Sequence, residues 1–246
     1  MTTFEQIDTH LKMLSLHQMR EIYRNEAENA AKTKLSYQEF LLRLLEQQVV
    51  SKIDRSINRS IQLACFPIIK RLEEFDFSYQ PQIDEKLIRE LSTLNFLDEP
   101  KNILLLGPPG VGKTHLAIAI GIKGCQARKR VRFYTAEQLT QDLAASEISG
   151  NLQKILVSLS RIDLLIIDEL GYLELSKKTA TLFFQLISKR YEQGSVIITS
   201  NKPFEEWGQI FQDDVVAAAI LDRLLHHCHT FFIQGKSYRM KQIFKN

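Results

Sequence analysis

The sequence predicts an α/β fold in which a parallel sheet flanked by helices follows a small all-helical amino-terminal domain. From residue 102 onward, short apolar runs alternate with helix-forming stretches, and strands that are apolar along their whole length are buried on both faces of a parallel sheet. The preceding residues contain no glycine and carry several helix-capping patterns. We therefore divide the chain into a helical domain at residues 1–75 and an α/β domain at residues 76–246.

The composition indicates an ordinary globular protein. Of 246 residues, 44% are hydrophobic and 25% are charged, which are average values for a soluble domain. No apolar run reaches the ~18 residues that a membrane span needs, and the first residues lack the layout of a secretion signal. Cys65, Cys125 and Cys228 are widely spaced, which favours reduced thiols over disulfides. We expect a cytoplasmic protein with no membrane partner.

The net charge of +3 is mild, but ten of the cations fall in two basic stretches. Such clusters either contact nucleic-acid phosphates or form solvated surfaces, and composition does not separate the two. They are Lys52, Arg55, Arg59, Lys70 and Arg71 in the first, and Lys123, Arg128, Lys129, Arg130 and Arg132 in the second.

Three capping boxes predict helix starts near residues 4, 16 and 37. They are Thr3 with Gln6, Ser15 with Gln18, and Ser36 with Glu39. The third helix is long, and its apolar residues recur every four positions, so the apolar row winds around the helix. We expect the near end of this row to pack on the first two helices. The row is Leu41, Leu45, Val49, Ile53, Ile57 and Ile61, and Pro67 should end or kink the helix.

An irregular linker around Phe75-Asp76-Phe77 and Pro81, and a short helix at 84–94, precede the alternating part. There the apolar runs and helical patterns predict five strands and five helices. The strands are at 102–106, 131–134, 163–168, 195–200 and 230–233, and the helices at 113–127, 136–147, 151–160, 177–193 and 213–226.

A glycine-rich run joins the first predicted strand to the following helix and fits the pattern G-x-x-x-x-G-K-[ST]. Its residues are Gly107, Pro108, Pro109, Gly110, Val111, Gly112, Lys113, Thr114 and His115. Glycines allow successive backbone N–H groups to turn toward a phosphate, and the helix N-terminus adds positive potential. We expect Lys113 to reach the β- and γ-phosphates and the Thr114 hydroxyl to ligate Mg²⁺. The run predicts a nucleoside triphosphate site.

Two carboxylates follow the third predicted strand. The apolar residues 164–167 place Asp168 and Glu169 at the carboxyl end of a buried strand, where open α/β sheets form their sites. We expect Asp168 to hold Mg²⁺ and Glu169 to act as the base that polarises an attacking water. Together with Lys113 and Thr114, this pair predicts hydrolysis as well as binding.

Two further polar residues allow either a functional or a structural role. Asn201 ends the fourth predicted strand, where it can hydrogen-bond the attacking water or the γ-phosphate, or merely cap the chain before Pro203. Arg223 lies beside Asp222 in a predicted helix and is either part of a surface ion pair or an arginine finger for a neighbouring subunit. The run from His226 to His229 is a poor zinc site, because adjacent residues point in different directions.

The chain resembles the IstB-type helper ATPases of bacterial insertion sequences, relatives of the DnaC helicase loaders within the initiator clade of AAA+ proteins. The resemblance covers roughly residues 35 to 240, and its most selective parts follow the phosphate loop. The motifs are Phe75-Asp-Phe77, Leu165-Ile-Ile-Asp-Glu-Leu-Gly-Tyr172, Ile197-Ile-Thr-Ser-Asn201, Phe204-Glu-Glu-Trp207, Ala218-Ala-Ile-Leu-Asp-Arg-Leu-Leu225 and Gly235-Lys-Ser-Tyr-Arg239.

The resemblance implies ATP as the nucleotide and assigns roles that spacing leaves open. It makes Arg223 a finger acting on a neighbouring subunit, Asn201 a sensor of the γ-phosphate and Arg239 a second sensor. Only seven residues follow Arg239, so we expect no full helical lid after it. The adenine pocket has no motif of its own, and residues 66–80 are the expected location from their place before the first strand.

The resemblance also implies partners. Such proteins form homo-oligomers through their ATPase domains, bind double-stranded DNA when loaded with ATP, and assist a partner transposase in DNA transposition. A helical insertion at residues 135–160, with Lys129 and Arg130 close by, would line the DNA path. The alternatives are a DnaC-like replicative helicase loader, a small-molecule phosphotransferase and a switch that binds ATP without hydrolysing it.

Overall fold

The computed structural model describes residues 2–238, and it divides into two compact units, Met1–Arg59 and Ser60–Asn246. The sequence-based boundary at 75/76 lies later than this division. Residues 60–75 group with the second unit because Ala64 and Leu72 are buried in its core. The assignment of residues 1–75 as a separate functional domain stays a prediction.

The first unit consists of helices α1 (Thr3–Met13) and α2 (His17–Thr33) and most of α3 (Tyr37–Ala64). The capping box of Ser36 and Glu39 is confirmed: the Glu39 N–H donates to Ser36 Oγ at 3.2 Å, and the Ser36 N–H donates to Glu39 Oε2 at 2.9 Å.

The other two capping boxes were predicted in the wrong place. Helix α1 is capped one residue earlier, by Thr2 and Glu5. Helix α2 begins after Leu16 without a side-chain cap, because Ser15 lies in the turn with a positive φ of 57°. The helices begin within one residue of their expected positions all the same, since their apolar residues also fix them.

The near end of the apolar row of α3 does not pack on α1 and α2, contrary to expectation. Leu41 and Val49 are exposed, whereas Leu44 is buried with residues of α1 and α2. One turn on, Gln48 lies on the same side and accepts the Met19 N–H at 3.1 Å. The core of this unit is small, and its buried hydrophobic residues are Leu11, Met19, Tyr23 and Leu44.

The second unit is a five-stranded parallel sheet with helices on both faces. Its strands are β1 (Asn102–Leu106), β2 (Val131–Thr135), β3 (Leu164–Leu170), β4 (Ser195–Ser200) and β5 (Cys228–Phe232). Its helices are α4 (Glu85–Leu91), α5 (Lys113–Gln126), α6 (Ala136–Ile148), α7 (Leu152–Ser160), α8 (Lys177–Arg190), α9 (Trp207–Phe211) and α10 (Asp214–Leu225). The five predicted strands are confirmed, while the short helix α9 was not predicted.

The order of the strands is β2-β3-β4-β1-β5, and all neighbours are parallel. The strand before the phosphate loop and the strand carrying Asp168 are therefore not neighbours, because β4 lies between them. Parallel strands bring their carboxyl ends to one edge of the sheet. The ends of β1, β4 and β3 thus form one continuous polar edge.

Alternate residues of each strand point to opposite faces and build two cores. Ile103, Ile166 and Ile197 face α4, α5 and the residues before them, whereas Leu104, Leu165 and Ile198 face α6 to α10. Burial on both faces explains why the strands are apolar throughout. Within residues 2–238, no helix is long and apolar enough to cross a membrane.

Arg190, at the end of α8, is only 2% exposed. At the amino-terminal edge of the sheet, its side chain donates hydrogen bonds to backbone carbonyl groups. Its guanidinium donates to the carbonyl oxygens of Leu159, Ile162 and Ser195. Burial lowers the pKa of Arg190 to about 10. This side chain joins the loop before β3 to the start of β4, since it satisfies buried acceptors on both.

We expect Arg190→Met to lower the free energy of unfolding of the second unit by about 2–4 kcal/mol, because three buried carbonyl groups lose their donor. Urea unfolding followed by tryptophan fluorescence measures this, since Trp207 is buried in the same unit. Lys177→Met, on the exposed first turn of α8, is the matched control and should be neutral. Equal stability of the two variants would contradict this role for Arg190.

Candidate nucleotide-binding site

The glycine-rich run forms a tight loop between β1 and α5, as the sequence predicts. Gly107, Gly110 and Gly112 have positive φ values of 147°, 82° and 103°. A Cβ on Gly107 would lie 2.0 Å from the Ile233 carbonyl oxygen, so the close approach of this backbone also requires glycine. Helix α5 begins at Lys113, and its N-terminus points at the loop.

Lys113 is 7% exposed, and its ammonium lies against the loop. The Nζ atom donates to the carbonyl oxygens of Gly107 at 2.6 Å and Pro108 at 2.8 Å. A buried ammonium held over the loop supplies the positive charge that the predicted phosphate contact requires.

Thr114 and Asp168 meet, although 54 residues separate them in the chain. The Thr114 hydroxyl donates to Asp168 Oδ1 at 2.8 Å. Asp168 is only 4% exposed, and this burial raises its pKa, although hydrogen bonds from Thr199 and Thr114 and the charge of Lys113 act in the opposite direction. Hydroxyl and carboxylate oxygens are the ligands that Mg²⁺ prefers, so this pair fits the predicted metal.

Glu169 occupies a β-bulge that the sequence did not predict. Ile167 pairs with Ile198 and Leu170 with Ser200, so Asp168 and Glu169 together stand opposite Thr199. Glu169 has a positive φ of 63°, which costs a non-glycine residue on the order of 1 kcal/mol. The bulge breaks the alternation of side chains: Asp168 is buried while Glu169 is exposed at the polar edge.

Thr199 of β4 is a site residue that sequence reasoning missed. Its hydroxyl accepts the Glu169 N–H at 2.9 Å and donates to Asp168 Oδ1. A polar residue in an otherwise apolar buried strand was the available signal. Its significance depends on β4 lying between β1 and β3, which the sequence does not reveal.

Asn201 follows β4 at the same polar edge. Its Oδ1 atom is buried and has no hydrogen-bond partner among residues 2–238. A Cβ on Gly171, two residues after Glu169, would lie 3.1 Å from this oxygen. Asn201 therefore stands close to the acidic bulge, with an unsatisfied polar atom.

Arg223 does not lie at the phosphate loop of its own chain. Its guanidinium donates to the Ala219 carbonyl in the preceding turn at 2.8 Å and lies 4.7 Å from the centre of the Phe184 ring. In the described part of the chain it forms no ion pair with Asp222, so the simple surface pair is not observed.

A hydrogen bond of the next residue in α10, Leu224, shows at which edge of the sheet Arg223 lies. The Leu224 carbonyl accepts from the side-chain amide of Asn102 at 2.9 Å, and Asn102 begins β1. The phosphate loop follows the other end of this strand, about 17 Å away at ~3.3 Å per residue. Arg223 thus lies toward the amino-terminal edge of the sheet.

The linker before β1 lies against the phosphate loop. His115 donates from Nε2 to the Arg71 carbonyl at 2.8 Å, and its ring meets Phe75 edge to face at 5.2 Å. Phe75 also covers Gly112, where an added Cβ would lie 2.6 Å from its Cε2 atom. The segment 66–80, expected at the adenine pocket, does reach the loop through these residues.

The residues after β5 also reach the phosphate loop. The Tyr238 N–H donates to the Gly110 carbonyl at 2.9 Å, and a Cβ on Gly110 would lie 2.1 Å from Ser237 Oγ. Arg239, the predicted second sensor, lies outside the described residues. The histidine run is split between the end of α10 and β5, and His226 and His227 form an exposed group with Glu192 away from this site.

The strand order, the glycine-rich loop and the acidic end of β3 define the chain as a P-loop ATPase of the AAA+ class. It belongs to the family of IstB-like ATP binding proteins, which matches residues 9–246. A protein of insertion sequence IS21 from Pseudomonas aeruginosa, named for ATP binding, is 47% identical over 87% of this chain and 81% of its own length. Another, of insertion sequence IS5376 from Geobacillus stearothermophilus, is 46% identical over 97% of this chain and 95% of its own.

Solved structures of low sequence identity share the fold. AMPPCP-bound DnaA from Aquifex aeolicus is 20% identical, with a TM-score of 0.58 over 73% of this chain, and the match spans about half of that protein, 55%. The DnaC helicase loader is 23% identical, with a TM-score of 0.50 over 61% of this chain and 87% of the loader.

We expect Thr199→Val to lower the free energy of unfolding by about 1–3 kcal/mol, because the Glu169 N–H loses its acceptor and Asp168 a donor. ATP turnover should fall by about tenfold or more, since both carboxylates lose their support. Urea unfolding and phosphate release measure the two effects. Thr181→Val on the exposed face of α8 is the control, and turnover equal to that control would contradict the role of Thr199.

Proposed function

We propose that this protein is an ATPase that oligomerises on double-stranded DNA, largely without sequence preference, and recruits a partner transposase in DNA transposition. The observation that carries the proposal is the distance of Arg223 from its own phosphate loop. An arginine at the amino-terminal edge of one sheet can serve the site of an adjoining subunit and not its own. ATP would then couple assembly of the subunits to hydrolysis. The proposed location is the cytoplasm.

The residues of the site support hydrolysis of ATP. The backbone N–H groups of residues 110–114 and the Lys113 ammonium would bind the phosphates, and Thr114 and Asp168 would hold Mg²⁺. When bound there, Mg²⁺ would supply positive charge against the charge that develops on the transferred phosphoryl group. Glu169 is exposed at the polar edge, where it can accept a proton from water, and Asn201 has an unsatisfied oxygen close to Gly171, two residues further on.

Three cations of the second basic stretch are already paired with carboxylates, which makes them weaker candidates for contacts with DNA. Lys123, Lys129 and Arg130 form ion pairs with Glu73, Asp98 and Asp163. Those pairs stabilise the surface and lower the charge that remains for phosphates.

Helix α7 and the residue that follows it offer a second set of cations. Lys154 and Arg161 are exposed and line one surface depression, whose third cation, Arg130, is the one already paired with Asp163. We assign the DNA phosphates to this surface. Contacts of this kind read the backbone and not the bases, which fits binding without sequence preference.

The amino-terminal unit is the proposed site of the transposase. Helix α3 exposes the apolar residues Leu41, Leu42, Leu45, Val49 and Val50, which a partner can cover. A helicase is the alternative partner, in line with the shared fold of the DnaC loader. The two similar proteins described above are both named for insertion sequences, which favours the transposase.

We expect Glu169→Gln to bind ATP normally but to lower its hydrolysis by about 10²-fold or more, because the base for the attacking water is lost. Complexes with random duplex DNA should then persist in ATP. Fluorescence anisotropy of labelled DNA and particle size by light scattering measure this, with ADP as the comparison. Glu174→Gln in the following loop is the control, and loss of DNA binding by Glu169→Gln with ATP still bound would contradict the proposal.

We expect Arg223→Ala to abolish turnover and yet to regain activity when mixed with Lys113→Ala, which is inactive alone. In the mixture, an intact phosphate loop can receive Arg223 from the second variant, so about a quarter of the interfaces are complete at random mixing. Phosphate release in the presence of DNA measures the recovery. Arg161→Ala, mixed in the same way, is the control, since it lowers DNA affinity without removing the finger. No recovery in the Arg223→Ala mixture would contradict action between subunits.

A further inference from the structure

The segment Gly235–Tyr238, which we call the terminal segment, is held on the phosphate loop by the linker. The Gln80 side-chain amide donates to the Lys236 carbonyl at 3.1 Å, and the Tyr79 hydroxyl donates to the Ser237 carbonyl at 3.3 Å. The rings of Tyr79 and Tyr238 meet edge to face at 5.2 Å. Two adjacent side chains thus hold two successive carbonyl groups, 158 and 156 positions away in the sequence.

The buried side chain of Gln80 packs closely against the backbone of Gly235. Gln80 is only 3% exposed, which is rare for glutamine and indicates a specific contact. Gly235 has a φ of 153°, and a Cβ at this position would lie 2.5 Å from Gln80 Oε1. The positive φ therefore favours glycine at this position of the Gly-Lys-Ser-Tyr motif, and a side chain there would also displace the Gln80 amide.

The terminal segment fixes the orientation of one peptide group in the phosphate loop. The Tyr238 N–H donates to the Gly110 carbonyl at 2.9 Å. A trans peptide group is planar, so the Val111 N–H points away from the carbonyl of Gly110. Holding that carbonyl on the side of the terminal segment turns the Val111 N–H to the opposite side, and inward amides are what such a loop uses to bind phosphate.

We propose that Tyr79 and Gln80 are positioning residues for ATP: they dock the terminal segment, which in turn sets the Gly110–Val111 peptide for phosphate binding. The proposal rests on the ATP site but not on DNA binding or assembly. Docking and ATP binding stabilise each other, because the affinity for ATP scales with the docked fraction and the linkage is reciprocal.

The test uses the full chain with the double variant Tyr79→Phe/Gln80→Met, which removes both hydrogen bonds and keeps the ring and the side-chain length. Each lost bond weakens docking by about fivefold. Gly235→Ala tests the same docking by a clash instead of a lost donor. Tyr37→Phe, which removes a hydroxyl from the exposed surface of α3, is the control.

We expect the double variant and Gly235→Ala to raise the KM for ATP by about fivefold to tenfold, with kcat within twofold of the wild type. Hydrogen exchange adds a readout that plain packing would not move: ATP should slow exchange of the amides of residues 235–238 in the wild type, and less in Tyr79→Phe alone.

Unchanged KM in a double variant with a normal melting temperature would overturn the proposal, as would a fall in kcat alone. If the double variant does not fold, the exchange experiment on Tyr79→Phe decides. ATP that fails to bind the wild type would refute the ATP site itself, whereas equal binding by wild type and variants refutes only the positioning role.

Discussion

The polar edge of the sheet depends on one buried carboxylate. Asp168 accepts hydrogen bonds from Thr114 at the start of α5 and from Thr199 of β4, so it joins three neighbouring elements through one side chain. Asp168 has no ion pair among residues 2–238, so burial of its charge costs stability, and burial raises its pKa. The rest of the site is arranged around it: the bulge at Glu169 follows directly, and the Thr199 hydroxyl supports both residues.

Several segments that are distant in the sequence pack closely around the phosphate loop. Glycine is required at position 107 by the Ile233 carbonyl, and it is favoured at position 235 by a positive φ next to the Gln80 amide. The linker and the residues after β5 both reach the phosphate loop, the first through the Phe75 ring and the second through the Tyr238 N–H. In our proposals, the loop therefore receives support from its own chain, while the cation that completes it, Arg223, comes from a neighbour. Under these proposals, one subunit would suffice to bind phosphate, whereas hydrolysis would need the assembly.

The two units differ in how they are stabilised. The second unit has two extensive apolar cores on the faces of its sheet. The first has a core of four buried hydrophobic residues and exposes a row of apolar side chains on α3. Small helical units with little buried area gain stability from partners, which fits the proposed contact with a transposase.

The sequence by itself determined the strands, the phosphate loop, the acidic pair and the family, because each is a local pattern with a local cause. Tertiary structure alone decided what depends on strand order and register. The bulge that exposes Glu169, the support from Thr199 and the docking of residues 235–238 arise where distant segments meet. The α3 row was misjudged for the same reason: a helical period predicts an apolar face, but only the neighbouring helices decide which face is covered. A sequence records which residues can make a contact, and the packing of the chain decides which of them do.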